Sequence, residues 1–210
     1  MRNRLRGARG YLCGPMDRAI DGGVEWRVTL KEMTSGLEVC WLDPCDKPID
    51  GFDESGLRAR LLKLKREGDY ASVAQLVKPI RCVDLRMVDL CDFMVAKIDV
   101  DTDAVYSKML EAMMAGQLKE AKALCLDLVS GCGTYEEISW ANRCKKPVIP
   151  WCPAGKVSIP NWMFAMLPHQ MMFGDLDGVV SYLWHVAKDD VVEHHKRWYF
   201  FRYDKMKGNS

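Results

Sequence analysis

One short stretch constrains the fold more than any other: Phe93, Met94, Val95 and Ala96 form an unbroken apolar run between Asp92 and Ile98. A strand with one wet face alternates apolar and polar residues, so a continuous run predicts a strand buried on both faces, as in parallel sheets covered by helices. Ala8 to Cys13 leans apolar and stops at Gly14-Pro15, which predicts a first strand ending in a tight loop. Val24, Val28 and Met33 follow Gly22-Gly23 near helical spacing, and Ser35-Gly36 closes that helix.

A second strand is expected over Leu37 to Leu42, then a turn-rich stretch from Asp43-Pro44 to Gly51. Residues 55–90 read as mostly helical, interrupted near Gly68-Asp69 and at Pro79, and the apolar run at 92–98 is the third strand. Leu110, Met113, Met114, Leu118, Ala121 and Leu124 suggest a helix from Ala104 to about Leu128, broken at Gly116. The loop from Ser130 to Gly133 precedes a helix from Thr134 to about Asn142, and Pro147 to Trp151 is a further strand. After an irregular stretch rich in Trp, Met and Phe comes a helix from about Asp175 to Ala187, then a basic aromatic tail. The order βαβαβαβ favours a parallel sheet with helices on both faces and ligands at the carboxyl ends of its strands.

The 210 residues suit one domain, with 49% apolar and 28% charged residues excluding disorder. A formal charge of +1 argues against a nucleic acid polymer or an acidic membrane as partner. No run approaches the roughly 18 apolar residues that a spanning helix needs, and the basic start precedes no long apolar region. Nine cysteines, an odd number without framework spacing, indicate free thiols and a reducing cytoplasm. Neither a metal site nor an organic cofactor is expected; His194 and His195 read as a solvated helix end.

Three strand-end loops converge on one crevice in such a sheet: Tyr11 to Gly23, Asp84 to Asp99 and Ser130 to Glu137. Glu137, near a helix start, suits an anionic nucleophile. The same Thr134-Tyr135-Glu136-Glu137 segment equally fits a capping box, with Thr134 and Glu137 satisfying each other's amides. Asp84 and Asp92 bracket a helix-to-strand junction, where plain surface and strand-entry roles suffice. Gly14, Pro15, Met16 and Arg18 belong to a loop that suits a phosphate or a simple strand-to-helix connection.

Y-L-C-G-P-M at Tyr11 to Met16, D-L-R-M-V-D-L-C-D-F-M-V-A at Asp84 to Ala96, and G-T-Y-E-E-I-S-W-A at Gly133 to Ala141 with K-K-P-V after it occur in this order. Together they resemble the nucleoside 2-deoxyribosyltransferase superfamily over roughly residues 8–150. The resemblance implies an α/β, flavodoxin-like, doubly wound sheet of five parallel strands, assembled as a homo-oligomer whose neighbours help complete each site. The chain then reads as a single α/β domain, 1–210, with its core at about 8–150. A helical insertion occupies about 101–129 and a C-terminal extension about 151–210.

The implied activity is cleavage of the N-glycosidic bond of a 2'-deoxynucleoside, with the sugar passed to another nucleobase or to water. By this resemblance Glu137 is the nucleophile, Tyr11 orients it, and Asp84 contacts the substrate near the base, where a protonated carboxyl would serve the departing base. Asp92, Gly14, Pro15, Met16, Arg18, Gly131, Gly133 and Thr134 would bind substrate. Gly131 stands six residues before Glu137, where the transferases commonly carry a base-binding aspartate. A related branch, the deoxynucleoside 5'-monophosphate N-glycosidases, carries a C-G-S-x-R-G-G-like phosphate loop, of which Cys13-Gly14, Arg18 and Gly22-Gly23 form a stretched version. That branch tends to place serine six before the nucleophile, whereas Ser130 lies seven before Glu137. Hydrolysis of a deoxynucleoside 5'-monophosphate is therefore the alternative activity, and a non-catalytic nucleotide-binding or sensing module the alternative of another class. The insertion reads as a lid or an oligomer contact, with Met109, Met113 and Met114 packed against the core or a partner, and Trp162 to Phe173 as core or interface.

Overall fold

A computed structural model describes residues 3–16, 21–48, 56–98, 102–129, 132–188 and 198. Four strands form a parallel sheet: β1 (Arg9–Cys13), β2 (Cys40–Leu42), β3 (Phe93–Lys97) and β4 (Val148–Trp151), in the order β2-β1-β3-β4. Met94 to Ala96 lie opposite Tyr11 to Cys13 on one side and Val148 to Pro150 on the other, so β1 and β3 are the central strands. Phe93 to Ala96 are fully buried, as their unbroken apolar run predicts.

Alternation along each strand sorts the side chains to two cores. Leu12, Phe93, Val95 and Ile149 face one, with α1 (Val24–Met33) and α8 (Leu176–Lys188). Tyr11, Cys13, Met94, Ala96 and Val148 face the other, beneath α3 (Tyr70–Leu90) and α6 (Cys132–Arg143). Gly10 is required by this packing: a Cβ there would lie 2.4 Å from the Trp41 ring and 2.8 Å from that of Phe93.

The expected five-strand sheet is not formed among the described residues. After β4 the chain makes α7 (Asn161–Met166) and a short turn of helix over His169–Met171, which leaves little extended chain before α8. Among the described residues after β4, only Phe173 reaches the sheet, where its amide donates to Pro150 O and its carbonyl accepts from Cys152 N, both at 2.9 Å.

Local chemistry sets the other bounds. The helix α2 (Leu57–Glu67) ends at Gly68, whose φ of 77° is the left-handed conformation that glycine tolerates. The Asp69 side chain then caps α3 by accepting from Ser72 N at 3.0 Å. Pro79 does not interrupt α3; the lost amide bond is outweighed by packing farther along, where Met87 and Val88 enter the core. Lys146 of the K-K-P-V segment closes that helix by donating to the carbonyls of Val88, Asp89 and Cys91. The second strand is shorter than expected because Glu38 turns with a φ of 52°.

Between β3 and α6 stand α4 (Thr102–Met114) and α5 (Leu118–Val129), separated at Gly116 with a φ of 72°. Ala112 and Ala121 are buried, whereas Met113 and Met114 are exposed, so of the expected packing on the core or on a partner these two do not make the core contact. Small residues let the two helices approach, and the longer side chains lie on the outside. In the 162–173 stretch Met163, Leu167, Met171 and Met172 are buried but Trp162 is exposed.

Candidate functional site

At the carboxyl ends of the central strands the alternation of β1 places Tyr11 and Cys13 on the face covered by α6. The Cys13 thiol donates to Thr134 O at 3.6 Å, tying the end of β1 to the first turn of that helix. Because α6 begins at Cys132, Thr134 lies inside the helix rather than at its cap. The capping-box reading therefore fails.

Glu136 and Glu137, about 100° apart around the helix, have opposite fates. Glu136 turns outward and accepts from Arg81 of α3, with Nε at 3.0 and 3.2 Å from its oxygens, and that partner lowers its pKa. Glu137 turns inward and is half-buried. Burial pushes its pKa from 4.5 up to about 7; hydrogen bonding from Cys13 opposes the rise, the charge of Asp84 adds to it, and Tyr11 and Lys47 oppose it. Burial, followed by the nearby Glu137 charge, raises both the Tyr11 hydroxyl and the Cys13 thiol well above their ordinary ranges. Tyr11 Oη has no hydrogen-bond partner among the described residues, and the single thiol hydrogen of Cys13 is directed to Thr134 O, so both groups act on Glu137 through their proximity.

Asp84, on α3, faces the same group of side chains. Its Oδ1 lies 3.3 Å from Lys47 Nζ, and the two side chains are only 15% and 5% exposed. Lys47 follows β2 in a loop built on Asp43, whose carboxylate accepts from Cys45 N at 2.8 Å and pairs with Arg27 and Lys31. The fully buried Arg27 also donates to Leu12 O at 3.3 Å and Gly14 O at 3.0 Å. One guanidinium thus joins the ends of β1 and β2. Gly23 makes room for it, since a Cβ there would lie 2.5 Å from the Arg27 Nη1.

Of the residues singled out from the sequence, Tyr11, Asp84 and Glu137 come together electrostatically, with Thr134 beside Cys13 and Gly133 exposed one residue before it. Gly14, Pro15 and Met16 continue from the end of β1, half-buried. Asp92 lies at the opposite, amino end of the sheet, where it accepts from Arg9 N at 2.7 Å. A strand-entry carboxylate bonded to the start of β1 cannot reach the carboxyl-end crevice. Arg18, Gly131, His194 and His195 lie outside the described residues. Sequence reasoning missed Lys47 and Arg27, and it gave Cys13 no part beside the nucleophile. Only the motif position of Cys13, between Tyr11 and Gly14, pointed to a role.

Among the described residues no group of three or more His, Cys, Asp or Glu is placed to hold a metal ion, and no helix is long and apolar enough to cross a membrane. All nine cysteines are free.

No protein-family model and no curated protein matches the chain. Solved structures do. A 2-deoxyribosyltransferase from Leishmania mexicana is similar with a TM-score of 0.49 and 15% identity, over 85% of this chain and 98% of that one. A 2-deoxyribosyltransferase from Bacillus psychrosaccharolyticus gives a TM-score of 0.47 and 16% identity, over 83% and 92%. The CMP N-glycosidase of Clostridium botulinum gives 0.41 and 13%, over 83% and 96%. At this level of likeness the functional reading rests on the site residues themselves.

Proposed function

We propose that this protein cleaves the N-glycosidic bond of 2'-deoxynucleosides, with Glu137 as the nucleophile, and passes the deoxyribosyl group to another nucleobase or to water. The observation that carries this reading is a recessed carboxylate at the carboxyl edge of the sheet, close to Cys13 and Tyr11 and to a second carboxylate, Asp84, all of which influence its ionisation. One Glu137 oxygen bonds to the anomeric carbon as the bond to the base breaks, and the bonding pair leaves with the base. The transition state resembles an oxocarbenium ion and the product is a deoxyribosyl ester. An incoming base or water then attacks the same carbon and returns the Glu137 carboxylate.

Burial supports the role: it raises the energy of the free carboxylate, and ester formation neutralises that charge. Cys13 and Tyr11, close beside it, offset part of the cost. In its ion pair with Lys47, Asp84 serves as an acceptor that positions the base, in place of the proton donor expected from a protonated carboxyl.

The test is chromatographic detection of free base from a panel of deoxynucleosides and their 5'-monophosphates, with and without a second base, with Glu137→Ala as control. A new deoxynucleoside that appears only with added base supports transfer, and base release restricted to monophosphates identifies the hydrolase alternative. Equal product from the parent and Glu137→Ala would overturn the assignment of the nucleophile.

A further inference from the structure

We infer that Lys47 is a base-recognition residue that selects oxo bases, those bearing a ring carbonyl beside an N–H, over amino bases such as adenine and cytosine. The inference rests on the proposed glycosidic cleavage for its catalytic half and on the Lys47–Asp84 geometry for its binding half.

Lysine is rarely this deeply buried, since removing an ammonium from water is costly even when a partner is present. Lys47 is 5% exposed, on a loop after β2, and its Nζ is 3.3 Å from Asp84 Oδ1. The loop is firmly placed: Asp43 accepts from Cys45 N, Asp46 N donates to Asp43 O at 3.0 Å, and Arg27 pairs with Asp43. Buried ion pairs contribute little net stability compared with apolar residues of the same volume, so the pair is better accounted for by what it recognises than by what it stabilises. It also sits beside the proposed nucleophile, which both of its charges influence.

An ammonium only donates and a carboxylate only accepts. Side by side they match a C=O next to an N–H, the edge that thymine, uracil and hypoxanthine present. Amino bases also offer an acceptor beside a donor, so hydrogen bonding alone does not discriminate. Charge does. When the glycosidic bond of an oxo base breaks, the electron pair passes to the base, whose negative charge spreads onto its carbonyl oxygen. A fixed ammonium stabilises that oxygen in a water-poor site. Adenine and cytosine leave readily only after a ring nitrogen has been protonated, and the resulting cation would face Lys47 across a short distance. The same charge therefore favours one class and opposes the other.

Two measurements test this on the parent protein, Lys47→Gln and Lys47→Arg. Isothermal titration calorimetry with thymine, uracil, hypoxanthine, adenine and cytosine reads recognition without turnover, and initial rates with the corresponding deoxynucleosides read the catalytic half. Deoxynucleosides of oxo bases are expected to be turned over at least about tenfold faster than those of amino bases in the parent, with the preference lost in Lys47→Gln and largely kept in Lys47→Arg, while calorimetry should show the neutral bases of both classes bound more weakly by Lys47→Gln than by the parent. A Lys47→Gln protein that keeps the rate preference or binds the bases as tightly as the parent, or a parent that turns over the adenine and cytosine deoxynucleosides as fast, overturns the inference. If Lys47→Gln does not fold, Lys47→Gln with Asp84→Asn restores a neutral hydrogen-bonded pair and is held to the same outcome. Lys47-dependent oxo-base binding without Glu137-dependent base release would refute the glycosidic reading and leave the recognition role standing. Glu137-dependent release that is indifferent to Lys47 would do the reverse.

Discussion

Replacing Glu137 with glutamine is expected to stabilise the protein at alkaline pH and to leave its stability unchanged in acid, because the parent carries a buried carboxyl that resists ionisation. In the folded protein this group titrates near 7, against an ordinary value of 4.5. Between those values the folded state holds more protons than the unfolded chain, so stability falls as pH rises. Below 4.5 the carboxyl is protonated in both states and no penalty exists. The two values lie roughly 2.5 apart on the pH scale, and at about 1.36 kcal/mol for each step the penalty above pH 7 is on the order of 3 kcal/mol. Glutamine keeps the shape and cannot ionise. Urea unfolding followed by tryptophan fluorescence at several pH values measures the effect. With a slope of about 2 kcal/mol/M, the midpoint should rise by about 1 M or more at pH 8, while the curves should coincide near pH 4. A variant no more stable than the parent at pH 8, or an advantage that grows toward acid, would refute the reasoning. The kinetic counterpart follows from the same ionisation: base release requires the anion, so kcat/KM should climb about tenfold per pH step below 7 and level off above it.

Cys13→Ala and Tyr11→Phe each remove a group that favours the Glu137 anion, so both should move the midpoint of the pH–rate profile upward, with the larger displacement for Cys13→Ala; an unmoved midpoint would deny these side chains their role. Arg27→Met should cost about 3 to 5 kcal/mol in chemical denaturation, since it leaves Asp43 and two strand-end carbonyls without their buried partner. Gly10→Ala should destabilise by about 1 to 3 kcal/mol, because backbone and rings must separate to admit one methyl group. Lys146→Met should lower the unfolding midpoint by the equivalent of about 1 to 3 kcal/mol, the cost of leaving the carbonyls at the end of α3 unpartnered.

The strands and helices that depend on local pattern were legible in the sequence. Phe93 to Ala96 announced a doubly buried strand, Gly116 divided two helices, and Val24 to Met33 formed the expected helix. What failed depended on tertiary balance. Pro79 read as a break, yet the packing of Met87 and Val88 carries the helix through, and the fifth strand shrank to Phe173 because short helices consume the chain before it. In the site, Tyr11, Asp84 and Glu137 stand in motif-like segments that strand order brings to one end of the sheet. Lys47 carried no such signal: it lies in a turn-rich loop, and only the folded chain sets it against a residue 37 positions away. Asp92 erred in the other direction, since its spacing from Asp84 says nothing about which end of the sheet it occupies.

The single bridge at Phe173 closes one edge of the sheet. On β4 the odd-numbered residues bond inward to β3, and Val148 and Pro150 face the outer edge. Proline has no amide hydrogen to offer there, and Phe173 already occupies the Pro150 carbonyl and the Cys152 amide. An approaching strand would find the Val148 amide and then a gap in the ladder, too little to template intermolecular pairing. The β4 border of the sheet is thus closed to a further strand by one imino acid and one aromatic residue, which leaves β2 as the edge with a free outer side among the described strands.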